Sequence, residues 1–240
     1  MLGISFGLLS QYDGEGENEV SRFRPGVMWF YTGMRPAKPE NPSKYDRLIF
    51  DITYNDWDGD RDLFKNSLLS LGVNTNLMFD VPLTKGNTVA FGWGFSHQLF
   101  NIRHDEMLIS DNENKTTILI PLASTGFTPK TRSLVGNSFS IPLEIRFRKK
   151  SWKHFKVHLG GKVGCQVRLT EKTVGEYDGY KEVYKRHGFP NNSKFIYSTH
   201  IRLGLRNWAL YASYNLNPIF LDKKSTQLNL IQFGLSISLF

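Results

Sequence analysis

The chain has 240 residues, 40% of them hydrophobic and 14% aromatic, with a single cysteine and a formal net charge of +8 at pH 7. One cysteine excludes an internal disulfide, and no run approaches the roughly 20 apolar residues of a spanning helix. The excess of Lys and Arg would suit nucleic acid or anionic lipid, but the bases are spread along alternating stretches rather than gathered on one helix or loop, which argues against a nucleic-acid partner.

The first ten residues, MLGISFGLLS, alternate Leu2, Ile4, Phe6 and Leu8 with Gly3, Ser5 and Gly7. They lack the basic start and small-residue cleavage site of an export signal, so the expectation is that such a signal lies outside the sequence given. An acidic segment, DGEGENE, leads to a second candidate strand at 24–34, followed by the Pro-rich RPAKPENPSK. From residue 69 onward the pattern is plain. Leu69, Leu71, Val73, Leu77, Phe79, Val81 and Leu83 oppose Ser70, Asn74, Asn76 and Asp80. Val89, Phe91, Trp93, Phe95 and Leu99 oppose Gly92, Gly94, Ser96 and Gln98. Over 138–149, Phe139, Ile141, Leu143, Ile145 and Phe147 oppose Ser140, Glu144, Arg146 and Arg148. Over 154–170, HFKVHLGGKVGCQVRLT sets Phe155, Val157, Leu159, Val163, Cys165, Val167 and Leu169 against His154, Lys156, His158, Lys162, Gln166 and Arg168. The pattern continues over 194–206, 208–216 and 231–239, with His200, Arg202 and Arg206, then Gln232, Gly234, Ser236 and Ser238, on the polar side.

A period of two marks strands with unlike faces. These stretches exceed the five or six residues usual for soluble strands and reach the roughly 9–11 residues of a transmembrane barrel strand. Window-averaged hydropathy hides such segments, because alternation cancels. Short connections at 84–87, 149–153 and 206–207 alternate with long polar ones at 105–137 and 171–193, the loop habit of outer-membrane barrels. The expected fold is all-β: one domain over 1–240, a closed antiparallel transmembrane β-barrel in the bacterial outer membrane. Counting back from Phe240, eight strands reach residue 45, and the candidates at 2–10 and 24–34 make ten. Ten strands are expected, with eight and an N-terminal extension as the alternative. TTILIPLA, inside 105–137, is expected to form a hairpin extension or an inward lid.

In so small a barrel the interior is only wide enough for side chains, and buried charges must pair. Glu144, Arg146, Lys156, Lys162, Arg168, Arg202 and Arg206 are therefore expected to form a lumen charge network, with Asp51 and Asp80 as further counter-charges and Glu144 between Arg146 and Arg202. Two other readings stand: a narrow anion-permeable channel, since rings of Arg and Lys favour anions, and a soluble lipocalin-like barrel with apolar faces inward. Tyr177, Tyr180, Tyr184 and Phe189, among Lys181, Lys185 and Arg186, read either as an incidental polar loop or as a docking surface for another envelope protein or a surface glycan. His154 and His158, four residues apart on a strand, stand about 13 Å apart, too far for one metal. No phosphate loop, H-E-x-x-H or G-x-S-x-G occurs, so the chain is read as non-enzymatic, with no metal and no cofactor.

The stretches IPLEIRFR (141–148), HFKVHLGGKVG (154–164) and LIQFGLSISLF (230–240) resemble the PorT-like outer-membrane β-barrel family of Bacteroidetes. The resemblance implies a small barrel without catalytic residues. One member of that family is tied to the type IX secretion system, so it further implies an accessory or scaffold subunit of an envelope complex, in secretion or outer-membrane protein assembly. The last strand also resembles the signal read by the barrel-assembly machinery, through Gln232, Gly234, Ile237, Leu239 and Phe240. Phe240 departs from that pattern, being out of phase with the lipid-facing row.

Overall fold

In the computed structural model, residues 47–60, 68–84, 88–104, 107–111, 113–120, 128–149, 155–177, 180–205 and 207–239 are described. The strands are β1 (Leu48–Gly59), β2 (Leu71–Pro82), β3 (Val89–Arg103), β4 (Met107–Asp111), β5 (Thr116–Ile120), β6 (Thr128–Arg148), β7 (Phe155–Tyr177), β8 (Tyr180–His187), β9 (Phe195–Leu205), β10 (Trp208–Asn215) and β11 (Leu228–Ser238). Antiparallel pairing runs β6-β3-β2-β1-β11-β10-β9-β7, and β7 pairs back onto β6. The ring is thus a closed barrel of eight strands, with β8 added beside the far half of β7 and β4–β5 forming a separate hairpin.

Eight, not ten, is the number that closes the ring. β1 pairs with β11 from Ile49↔Ser238 to Gly59↔Leu228, and with β2 on its other side. Both edges of β1 are occupied, so no place remains between β11 and β1 for strands at 2–10 or 24–34. Those segments lie outside the described residues. The hairpin expected of TTILIPLA is present, as β5 on β4 from Met107↔Ile120 to Asp111↔Thr116.

Burial alternates along the barrel strands, in the phase read from the sequence except beyond Val167 of β7. Asp51, Thr53 and Asn55 of β1, Asn74 and Asn76 of β2, and Ser96 and Gln98 of β3 are buried, while Ile52, Leu77, Phe79, Trp93 and Phe95 are exposed. Phe139, Ile141, Leu143, Val163, Leu203, Phe233 and Leu235 continue the outward row. Apolar side chains face out and polar ones in, which inverts the lipocalin-like arrangement. A strand of 11 or 12 residues, tilted by about 40°, spans roughly 30 Å, the thickness of a bilayer core. The connections at 83–88, 149–154 and 206–207 lie at the end that carries the start of β1 and the end of β11. The longer connections lie at the other.

β6 and β7 depart from the expected loops. β6 begins at Thr128 and β7 continues to Tyr177, so both run well past the barrel wall. A bulge between Asn137 and Ser138 sets Asn137 opposite Arg168 and Ser138 opposite Gln166, leaving Val167 as the extra residue. One extra residue inverts the alternation beyond it. Leu169 turns inward and buried, whereas Arg168 points out and is exposed. Beyond the bulge β8 returns along β7 from Tyr177↔Tyr180 to Thr170↔His187, and a three-stranded sheet, β6–β7–β8, projects from the barrel.

Candidate functional site

The lumen is layered. At the short-turn end Glu144 is fully buried and gathers four cationic or imidazole groups. Arg146 Nε lies 2.8 Å from Glu144 Oε2, His200 Nε2 lies 2.8 Å from Oε1, and Arg202 Nη1 also donates to Oε1. His158 Nδ1 stands 3.7 Å from Oε2. Arg202 turns its other edge to Asp51, with Nη2 2.9 Å from Oδ2 and Nε 3.2 Å from Oδ1. Arg146 reaches Asp80 at 2.7 Å, and Arg148 holds the second oxygen of Asp80 at 2.6 Å. Each carboxylate therefore bridges two cations or a cation and neutral donors: Asp51 also accepts from Asn76 at 2.9 Å and from Ser236. A buried ion pair persists best when its remaining lone pairs and protons find partners; here both oxygens of Glu144, Asp51 and Asp80 are met, while His200 Nδ1 is buried without a hydrogen-bond partner among the described residues.

Glycine makes the cluster possible. Gly92, Glu144, Gly160 and His200 occupy one cross-strand row. A Cβ at Gly92 would stand 2.7 Å from Arg146 Nε, and one at Gly160 would stand 2.3 Å from the Leu143 carbonyl and 2.8 Å from Glu144 Cγ. The two neighbours of Glu144 are thus bare, and the space they leave is filled by guanidinium and carboxylate. Tyr211, buried on the lumen face of β10, completes the wall. Arg202 and Lys162 lie over its ring at 5.0 and 5.4 Å, and Lys162 Nζ donates to its hydroxyl at 3.2 Å. Lys156 Nζ donates to Ser238 Oγ at 2.9 Å.

Above the charges lies an amide layer. Gln232 Nε2 donates to Asn55 Oδ1 at 2.7 Å, and Gln232 Oε1 accepts from Gln98 and Asn74 at 3.1 and 3.3 Å. Above that, at the long-loop end, the interior becomes apolar. Trp57, Phe100, Ile102, Leu134, Leu169, Leu228 and Leu230 are buried together with Leu108 of β4 and Phe189, Ile219 and Phe220 of the loops. Trp57 and Phe100 meet edge to face with ring centroids 5.9 Å apart. The β4–β5 hairpin sits on this plug. Leu108 N–H donates to Glu171 Oε1 at 3.1 Å, Arg186 donates to the Leu108 carbonyl at 3.1 Å, and Thr117 bonds Ser225 and Thr226.

Of the expected lumen network, the structure brings together Glu144, Arg146 and Arg202, with Asp51 and Asp80, and places Lys156 and Lys162 in the same interior. Arg168 is not a lumen residue, because the bulge at Val167 turns it outward. Arg206 lies outside the described residues. Sequence reasoning missed Tyr211, which is out of phase with the outward-facing Trp208 and Leu210, and the plug residues Trp57, Phe100, Leu228 and Leu230. Phase alone could have found all of them: Phe100 continues the row Gly92, Gly94, Ser96, Gln98, and Trp57 continues Asp51, Thr53, Asn55. Of the expected assembly signal, Gln232 is buried in the lumen, Gly234 faces the same way, and Ile237 and Leu239 face outward. Phe240 lies outside the described residues.

The tyrosines expected in a loop stand instead on strands. Tyr180 and Tyr184 of β8 are exposed, Tyr184 Oη donates to Glu182, and Tyr177 ends β7 opposite Tyr180. Phe189, expected to be exposed with them, is buried against Phe220 with centroids 6.0 Å apart, and Arg186 lies over its ring at 5.3 Å. It anchors the loop after β8 to the plug. Cys165 is exposed on the outward face of β7, in the row of Phe139 and Phe195, where a free thiol behaves as a small apolar side chain.

Glu171, on the projecting half of β7, is buried under the hairpin. Burial pushes its carboxyl above the usual range, partly offset by the Leu108 amide and by Arg132 and Arg186. An acid whose folded pKa is raised favours the folded state while protonated and loses that advantage as pH rises through the window above its ordinary value. Docking of the β4–β5 hairpin is therefore expected to weaken as pH climbs from about 4.5 through the raised pKa. Exchange of the Leu108 amide should accelerate more steeply over that window than hydroxide catalysis alone requires. Glu171→Gln should abolish the excess, and an unchanged excess in that variant would remove Glu171 as its source.

A closed antiparallel ring with an apolar exterior, a polar interior and alternating short and long connections defines a transmembrane β-barrel. No protein-family model matches the chain, and no curated protein matches it in sequence. Among solved structures it is similar to Ail, the attachment invasion locus protein of Yersinia pestis, solved in complex with the heparin analogue sucrose octasulfate. That similarity has 11% identity and a TM-score of 0.32, covering 80% of this chain and 95% of that one. The barrel assignment rests on the strand pairing and burial of this chain itself.

Proposed function

We propose that the chain is a non-enzymatic outer-membrane barrel that acts as an accessory or scaffold subunit of a larger envelope complex, as the PorT-like stretches imply. The lumen is structural and the working surface is the projecting sheet. The observation that carries this reading is the filled interior: a paired charge cluster, an amide layer and an apolar plug stand in series along one axis. Such an interior holds a shape and leaves no use for the barrel as a conduit, which speaks against the anion-permeable channel. The strands β6, β7 and β8 continue past the barrel wall and offer Tyr180, Tyr184, Lys181 and Lys185 to a partner in the envelope. The closing strand, through Gln232, Gly234, Ile237 and Leu239, serves as the recognition element for the barrel-assembly machinery.

The test is fractionation of the chain expressed with an export signal, followed by gel mobility with and without boiling. An outer-membrane band that shifts on heating is expected. Photo-crosslinking from position 180 should then trap an envelope protein. A soluble, unshifted protein would overturn the membrane reading, and a shifted band with no crosslinked partner would overturn the scaffold role alone.

A further inference from the structure

The bulge that removes Arg168 from the lumen places it in a new company. Beyond Val167 the even residues of β7 face outward, and register assigns their neighbours. Leu99, Asn137 and Arg168 form one cross-strand row. Asn101, Val135, Thr170 and His187 form the next, and Arg103, Ser133, Lys172 and Lys185 the third. The Thr170 hydroxyl and His187 Nδ1, 2.9 Å apart, confirm that β7 and β8 share this face. Directly below is an aromatic row, His97, Phe139, Cys165 and Phe195, with His97 and Phe139 rings 4.9 Å apart. Below that is the apolar belt.

The three rows contain Arg103, Arg168, Lys172 and Lys185 and no acidic residue. Arg168, Lys172 and Lys185 are exposed, and none of the four is ion-paired in the described structure. Lys172 and Lys185 stand directly opposite each other, on strands about 4.8 Å apart, an arrangement of like charges that destabilises a sheet. In the lumen the guanidinium groups of Arg146, Arg148 and Arg202 are each met by a carboxylate. On the outward face these rows bring none among the described residues, which leaves room for a counter-charge from outside the chain. Continuity with the aromatic row and the lipid belt fixes where that anion sits, at the level of the headgroups. Basic residues clustered at that depth attract anionic lipid, each adding to the affinity.

We propose that the outward face of the projecting sheet, through Arg103, Arg168, Lys172 and Lys185, binds the phosphate groups of an anionic lipid in the outer leaflet, with the acyl chains lying on the belt around Phe139, Val163 and Phe195. This rests on the outer-membrane reading above. The test is native mass spectrometry of the detergent-solubilised barrel with diphosphoryl lipid A, with the same lipid after phosphate removal, and with inorganic phosphate as competitor. The triple variant Arg168→Gln, Lys172→Gln, Lys185→Gln changes only exposed side chains, and its heat-shifted band reports that it folds. Diphosphoryl lipid A is expected to bind the parent chain at least about tenfold more tightly than the triple variant, and more tightly than dephosphorylated lipid by a similar factor. Inorganic phosphate should not displace it. Equal binding by the variant, or indifference to the lipid phosphates, would overturn the site. Displacement by inorganic phosphate would overturn lipid as its occupant. A chain that never reaches the membrane fraction fails the earlier reading instead.

Discussion

Glu144→Ala is expected to lower the temperature at which the detergent-solubilised barrel loses its compact gel mobility, by more than any other single change at the turn end of the lumen. The substitution removes the acceptor of Arg146 Nε, Arg202 Nη1 and His200 Nε2 together. Arg146 keeps Asp80 and Arg202 keeps Asp51, so neither guanidinium is stripped of all partners. Even so, removing one member of a buried pair commonly costs about 3–5 kcal/mol, because the charge left behind stays desolvated. Glu144→Gln retains a carbonyl acceptor and the volume, and should fall between parent and alanine. The double variant Glu144→Ala, Arg146→Ala should be less destabilised than the sum of its parts, since the two losses share one interaction. A melt unchanged by Glu144→Ala would mean that water already screens these groups, and the lumen would have to be read as hydrated rather than filled.

Much of this arrangement is written in the chain as phase. Once Ile141, Leu143 and Ile145 are assigned to lipid, Glu144 and Arg146 must face inward. A barrel with room only for side chains then demands that they pair. Arg202 and Asp51 follow by the same argument, although 151 residues separate them. What phase cannot convey is where it changes. Nothing in GCQVRLT distinguishes Val167 from an ordinary outward residue. The bulge appears only as a register shift against Asn137 and Ser138, and it carries Arg168 from one side of the wall to the other. β8 was illegible for a different reason. YKEVYKRH is exposed on both faces, so it has no apolar period, and its strand conformation comes from the neighbouring β7. The number of strands was obscured because alternation in the first 34 residues looks like strand whether or not the ring has a place for it, and only the pairing of β1 with β11 shows that it has none.

The second large effect concerns the other end of the lumen. Phe100→Ala is expected to destabilise the barrel by about 3–5 kcal/mol, with Trp57→Ala comparable, because each ring is fully buried and meets the other. Gly136 gives the first of these a particular severity. A Cβ there would stand 2.2 Å from the Phe100 ring, so the ring occupies space that β6 leaves open for it, and no side chain of β6 can fill the vacancy. Conductance is expected to behave differently from stability. Removing the plug leaves the Glu144 cluster and the amide layer intact beneath it, and Glu144→Ala leaves the plug intact above. In planar bilayers each single variant should therefore stay as closed as the parent, and measurable ion flow should require all three layers to be opened, as in Phe100→Ala, Gln232→Ala and Glu144→Ala together. Steady conductance in the parent would sink the sealed lumen and restore the channel reading. Opening by Phe100→Ala alone would place the seal in the plug and reduce the charge cluster to a determinant of stability.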